Sequence, residues 1–165
     1  MQRVAQVLQD AGHPHAPVML ADAARTAQQA ADALGVELGQ IAKSIVFKRV
    51  RDERAVLVIT SGDLRVDEAK VSQHVALPDG TGGELARADA AFVKAQTGFS
   101  IGGVSPLAHA QACVVLIDQA LFRFQDIWAA AGHPHGVFRL SPQQLQAMTG
   151  APCANVTVAE EGPAT

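Results

Sequence analysis

Two apolar runs on either side of a charged tetrapeptide constrain this chain more than any other feature. Ala55-Val56-Leu57-Val58-Ile59-Thr60 is almost continuously apolar and rich in β-branched residues, as a strand covered on both faces must be. Residues 42–50 precede it, with Ile45-Val46-Phe47 at their centre, and Arg51-Asp52-Glu53-Arg54 lies between as a polar turn. The pattern predicts a β-hairpin. Lys43 stands at the front of the first apolar run, after Gly39-Gln40-Ile41-Ala42. Its ammonium either reaches solvent from the strand start or sits in a pocket. In a pocket it needs a partner, because an unpaired buried charge is costly, and an anionic or carbonyl-bearing substrate could be that partner.

The rest of the chain alternates less regularly. Val4, Val7 and Leu8 have helical spacing, so residues 2–11 read as a short amphipathic helix ended by Gly12. Val18-Met19-Leu20 reads as a short strand, and Asp22 as the N-cap of a helix from Ala23 to Leu34, stopped by Gly35. After the hairpin, Ser61-Gly62-Asp63 reads as a loop and Asp67 as the cap of a helix to His74. Residues 84–86 are a candidate short strand, and Ala88 to Gln96 a helix closed by Gly98. Residues 112–117, 126–131 and 137–140 read as strands, the last an outer one. Ser141-Pro142 opens a helix that Gly150 ends, and residues 155–158 form a last strand. Helices and strands mixed in this order predict an α+β fold with a mixed sheet. The whole chain, 1–165, reads as one domain with a frayed tail at 160–165.

Composition limits function by exclusion. Of 165 residues 48% are hydrophobic and the net charge is −3, so the chain is globular and any nucleic acid must be gripped by a local patch. Cys113 and Cys153 form no CxxC pair. With no apolar leader and no run near the roughly 20 residues that span a bilayer, the cytoplasm is the expected compartment and no membrane partner is expected. Cys113 reads as a buried, inert strand residue.

The second informative segment is Gly98-Phe99-Ser100-Ile101-Gly102-Gly103-Val104-Ser105-Pro106. Its glycines could bring backbone N–H groups close to a phosphate or an oxyanion, or simply make a tight turn ending at Pro106. It lacks the Gly-Lys-Ser/Thr ending of a P-loop. Ala11-Gly12-His13-Pro14-His15 recurs as Ala131-Gly132-His133-Pro134-His135, but nothing around the copies matches. His at i and i+2 across a proline suits one metal poorly, so no metal is expected. Asp63, Asp118 and Asp126 lie at strand ends, where capping is the commoner use of a carboxylate. No obvious general base emerges, and hydrolysis here would lean on positioning and oxyanion stabilisation.

Taken in order, several blocks resemble the YbaK/prolyl-tRNA-synthetase-associated editing-domain family. They are Thr26-Ala27 through Leu34-Gly35-Val36, Gln40 to Phe47, Gly62-Asp63 with Arg65-Val66-Asp67 and Lys70, Thr97-Gly98 with Gly102 to Pro106, Val115 to Asp118, Ala131 to Pro134, and Leu140-Ser141-Pro142 with Leu145. The resemblance covers about residues 23–150. It implies a mixed, barrel-like sheet surrounded by helices. The implied activity is a trans-editing deacylase that hydrolyses the ester of mischarged aminoacyl-tRNA, foremost tRNA-Pro carrying a wrong small amino acid, without a cofactor. The family's essential lysine corresponds to Lys43. Ser44, Gly98, Gly102, Gly103, Val104, Ser105, Pro106 and His133 fall at its substrate-binding positions. Implied partners are the acceptor end of the tRNA and prolyl-tRNA synthetase, with Lys48, Arg49 and Arg65 as candidate grips. The alternative is a module of the same fold that binds tRNA ends or docks on a synthetase without turnover. Which amino acid is removed is not legible in the sequence.

Overall fold

The computed structural model describes residues 1–21 and 26–159. Helix α1 (Gln2–Asp10) and strand β1 (Val18–Met19) come first, then α2 (Ala27–Leu34) and a 3-10 turn at Leu38–Gln40. The hairpin follows as β2 (Ile41–Arg49) and β3 (Arg54–Ser61). Its register is antiparallel, from Ala42 opposite Ser61 to Arg49 opposite Arg54. From Ala55 to Ser61 every residue of β3 is buried, as its unbroken apolar run requires. Then come β4 (Leu64–Val66), α3 (Glu68–Val75), β5 (Leu85–Arg87), α4 (Ala90–Thr97) and β6 (Val114–Asp118). A 3-10 turn at Gln119–Arg123 leads to β7 (Ile127–Ala130), β8 (Gly136–Leu140), α5 (Pro142–Thr149), β9 (Cys153–Ala154) and β10 (Thr157–Ala159).

The main sheet runs β1-β8-β7-β2-β3-β6-β9, with β5 also on β2, and β4 pairs with β10 in a separate two-stranded sheet. Strands β2 and β7, β3 and β6, and β6 and β9 are parallel, the others antiparallel. The α+β class and mixed sheet are as expected. The strand path is open from β1 to β9, so the barrel-like sheet is not closed into a barrel. One core of buried residues, including Leu8, Leu57, Ile117, Phe138 and Leu145, packs α1 and α5 on the sheet. A second, with Val56, Val58, Val71 and Val75, packs α3.

Local signals set most of the helix ends. Thr26 caps α2 through Gln29 N, and Ser141 caps α5 through Gln144 N, both as capping boxes. Asp67 accepts from Ala69 N and Lys70 N at the start of α3. The described helix α2 starts at Ala27, behind its Thr26 cap; the expected cap Asp22 and residues 23–25 lie outside the described residues, as does the 160–165 tail. Of the segment read as one strand over 155–158, only Thr157 and Val158 are in a strand, β10, and Asn155 and Val156 link it to β9. Buried Asp118 draws the intervening chain inward, accepting from Val156 N at 3.0 Å and Thr157 Oγ1 at 3.0 Å. Cys113 is half-buried just before β6 rather than within it, and burial pushes its thiol up. Among the described residues no helix is long and apolar enough to cross a membrane.

Candidate active site

Strand β2 has a gap along one edge. On the side away from β3 it pairs with β7 through Ile41 and Ala42, and with β5 through Phe47, Lys48 and Arg49. Lys43 to Val46 lie between these two pairings. At this gap is a cavity of about 300 Å³, bordered by Ala42, Lys43, Ser44 and Ile45. The loop read as glycine-rich contributes Gly102 and Val104, and the β7–β8 hairpin contributes Trp128, Pro134 and Val137. The wall is otherwise largely apolar, with Leu20, Ala27, Ala30 and Ile41. At the hairpin's base, off the cavity wall, two glycines let the chain close up: a Cβ on Gly39 would meet the Phe124 ring at 2.7 Å, and one on Gly62 the Leu38 carbonyl at 2.5 Å.

Lys43 is half-buried, and its Nζ donates to Leu64 O at 3.2 Å. Among the described residues it has no carboxylate partner. Ser44 Oγ is enclosed and likewise lacks a hydrogen-bond partner among the described residues. A buried hydroxyl without a partner is uncommon, and here it borders the cavity. Lys43, Ser44, Gly102 and Val104 are therefore the expected site residues that the fold brings together.

The other expected residues are not on the wall of this cavity. Gly103 presses on the backbone of His133 and Pro134: a Cβ there would lie 2.9 Å from His133 C. Its N–H donates to Ser100 O at 3.0 Å, as in a tight turn. Buried Ser105 accepts from Leu107 N through Oγ, and its carbonyl accepts from His109 Nε2 at 2.7 Å. Burial, with Arg3 nearby, pulls the His109 imidazole down, consistent with a neutral ring that donates to this carbonyl. Pro106 borders a different hollow, with His109 and Cys113. Gly98, at φ +83°, is the C-cap of α4. His133 is exposed, its Nδ1 accepting from His135 N at 3.1 Å.

The three cationic grips separate sharply. Arg49 is buried and spent on Asp52, Nε to Oδ1 at 3.0 Å and Nη2 to Oδ2 at 2.7 Å, with Nη1 on Val75 O. The Arg49 guanidinium, first among the causes, holds the Asp52 carboxyl down at about 2. Arg49 is thus a lock for the hairpin turn rather than a free cation. Lys48 pairs with Glu53 at 3.6 Å and lies over the Phe92 ring. Arg65 is exposed, on β4 close to Lys43. The strand-end carboxylates serve structure: Asp63 pairs with Arg123, Asp126 with Arg139, and Asp118 with three donors. Among the described residues the cavity wall carries neither carboxylate nor imidazole, and no group of three or more potential metal ligands occurs.

Among the described residues the chamber is small and apolar with the Lys43 ammonium and the unpartnered Ser44 hydroxyl beside it, an arrangement that can bind and position a ligand but offers little acid–base machinery of its own. The chain belongs to the aminoacyl-tRNA editing domain family, whose sequence model matches residues 21–148. It is similar to protein YwhH of Bacillus subtilis (strain 168), with 36% identity over 73% of this chain and 72% of that one. It is also 32% identical, over 65% of its own length, to a segment that makes up 18% of the proline–tRNA ligase of Lactobacillus helveticus (strain DPC 4571). A crystal structure of a proposed trans-editing enzyme for prolyl tRNA synthetase superposes with a TM-score of 0.86 at 37% identity, covering 96% of each chain. The hypothetical protein APE2540, at 24% identity, shares the fold with a TM-score of 0.82.

Proposed function

We propose that this protein is a trans-acting deacylase that hydrolyses the ester between a small, wrongly attached amino acid and the 3′ end of a tRNA, with tRNA-Pro as its principal substrate. The observation that carries this reading is the cavity of about 300 Å³ with Lys43 and Ser44 on one side and Gly102 and Val104 on the other. An aminoacyl side chain of a few carbons fits such a chamber, and its apolar wall favours it. The likeness to part of a proline–tRNA ligase supports tRNA-Pro as the substrate and prolyl-tRNA synthetase as the partner.

In the reaction, water adds to the ester carbonyl, the bond to the ribose oxygen breaks, and that oxygen takes a proton. Lys43 holds the ester by its carbonyl or the adjacent phosphate and offsets the negative charge that develops. Ser44 Oγ gives the bound amino acid a hydrogen-bonding partner. The attacking water is oriented by the substrate, whose ribose hydroxyl lies beside the ester.

A panel of Ala-, Cys-, Ser-, Thr- and 2-aminobutyryl-tRNA-Pro, with Pro-tRNA-Pro as control, tests this. Release from at least one small mischarged species by wild type, lost in Lys43→Ala, is the expected result. Release from none would leave a binding module of the same fold.

A further inference from the structure

Residues 98–109 form a closed loop. At its neck Ala110 N donates to Thr97 O at 3.1 Å and Gln111 N to Gln96 O at 2.9 Å, so its two ends lie side by side, as in an Ω-loop. The middle of the loop brings Gly102 and Val104 to the chamber wall. Both ends meet one side chain from outside the loop, Arg3 of α1. At the first end its guanidinium carbon lies 5.5 Å from the centroid of the Phe99 ring, and its Nη1 comes so close to Gly98 that a Cβ there would collide with it. At the far end its Nη2 donates to the carbonyl of Ala108. Ala108 has φ +61°, a conformation that a residue with a Cβ keeps only when its surroundings hold it there. Phe99 is buried, and its ring packs in turn against the link between β7 and β8, where a Cβ on Gly132 would lie 2.7 Å from it.

Arg3 is exposed, lies off the chamber wall, and pairs with no carboxylate among the described residues. Its charge is turned on the loop instead. It meets a carbonyl, an aromatic face of the kind that attracts cations, and the His109 imidazole, which it helps to keep neutral. We propose that Arg3 is a positioning residue for the reaction: by clamping both ends of the 98–109 loop it sets where Gly102 and Val104 stand, and so the shape of the aminoacyl chamber opposite Lys43 and Ser44, without touching substrate. Helix α1 precedes residues 21–148, the stretch that the family's sequence model matches, so the clamp is supplied from outside that stretch. Its effect on turnover rests on the deacylase reading above; the contacts that make it do not.

The test compares three variants of the intact protein with wild type, well below the melting temperature. Arg3→Met keeps the aliphatic stem and removes the cation and its donors. Arg3→Lys keeps a cation that can reach the same carbonyl. Gln6→Ala removes a bond within α1, from Gln6 Nε2 to Asp10. Arg3→Met should lower kcat on a mischarged tRNA about ten-fold with KM nearly unchanged, because a misplaced group costs rate more than binding. Arg3→Lys should recover most of the loss, and Gln6→Ala should show none. In amide NMR spectra the signals of Gly102, Gly103 and Val104 should move in Arg3→Met and return in Arg3→Lys, while those of Leu57 and Ile59 in β3 stay in place. Loop signals that do not move, an unchanged kcat in Arg3→Met, no recovery in Arg3→Lys, or an equal loss in Gln6→Ala would each overturn the assignment. Wild-type protein inert on every charged tRNA would sink the deacylase reading instead, and the loop signals alone would then decide the clamp.

Discussion

Lys43 and Thr60 face each other across the β2–β3 pairing, yet their polar ends do not meet. The lysine ammonium reaches instead to the Leu64 carbonyl at 3.2 Å, and the threonine hydroxyl is left buried without a partner among the described residues. The Lys43 ammonium is thus partnered by backbone, whereas the Thr60 hydroxyl is an unsatisfied polar group inside the fold. Thr60→Val should therefore stabilise the protein by about 1 kcal/mol, by deleting an unsatisfied hydroxyl. Denaturant midpoints of variant and wild type check the sign.

Among the described residues Lys43 binds only one protein group, the Leu64 carbonyl, so its removal should hurt catalysis far more than folding. Lys43→Ala is expected to lose about 1 kcal/mol of stability, one hydrogen bond's worth. It should lose about 10²-fold or more in kcat/KM, as the removal of one charge-stabilising donor does. Single-turnover deacylation beside thermal melting separates the two effects. Comparable loss in both would make Lys43 a structural residue.

Gly103 and Gly102 are adjacent but constrained differently. A Cβ on Gly103 would lie 2.9 Å from His133 C and 3.0 Å from Pro134 N, which are backbone atoms that cannot swing aside. Gly102 has φ +94° and open space around it. Gly103→Ala should cost about 1–3 kcal/mol through overpacking and push Gly102 and Val104 off the cavity wall, lowering turnover. Gly102→Ala should cost a comparable amount, about 1–3 kcal/mol, as backbone strain rather than as a clash. Chemical denaturation of both variants reads the two costs.

Those glycines also show where sequence reasoning stops. The hairpin was legible because its signals are local: two apolar runs and a charged turn. The caps at Asp67 and Ser141 and the stops at Gly35, Gly98 and Gly150 were legible for the same reason. Strand β4 was not, because residues 64–66 become a strand only by pairing with β10, far along the chain. Gly98 was read both as the stop of a helix and as a loop glycine, and its φ of +83° at the end of α4 bears out the first reading. Arg49 looked like a free cation because its burial against Val75 depends on how α3 packs. Of the candidate site residues named from sequence, Lys43, Ser44, Gly102 and Val104 border one cavity. The burial of Thr60 beside a groove was not legible, because it reads as the end of an apolar strand until β4 and α3 pack there.

His109 ties the loop to the rest of the fold, its Nε2 donating to Ser105 O at 2.7 Å. Burial, then the neighbouring Arg3, lowers its pKa below 6.5, outweighing the raising effect of the Ser105 bond. In the unfolded chain the imidazole takes up its proton near pH 6.5, whereas in the folded chain it resists until lower pH. The stability linked to this group is therefore complete above about pH 6.5 and is lost as pH falls towards the folded-state pKa. His109→Gln, whose amide can still donate, should flatten the decline in melting temperature between about pH 7 and pH 5. An unchanged decline would mean that other groups account for it.

Asp118 joins β6 to the last part of the chain. It has no exposed surface, and its carboxylate accepts from Val156 N and Thr157 Oγ1, each at 3.0 Å, and from Ala120 N at 3.1 Å. Thr157 begins β10, β10 pairs with β4, and β4 supplies the Leu64 carbonyl that anchors Lys43. Asp118→Asn keeps the shape but sets an NH₂ where an oxygen accepted, so at least one of three donors faces another donor. The expected cost is about 2–3 kcal/mol, the value of a charge-assisted bond, or about 4–12 °C in melting temperature for a chain of this size. If the Thr157 hydroxyl is a true partner, Thr157→Val should cost less in the Asp118→Asn background than alone, with a coupling of about 1 kcal/mol. Simple additivity of the two variants would show that Asp118 is held by the backbone donors only. Amide hydrogen exchange at Val66 should rise in Asp118→Asn, because the β4–β10 pair loses its tether there, and slack in that pair would reach Lys43 through Leu64.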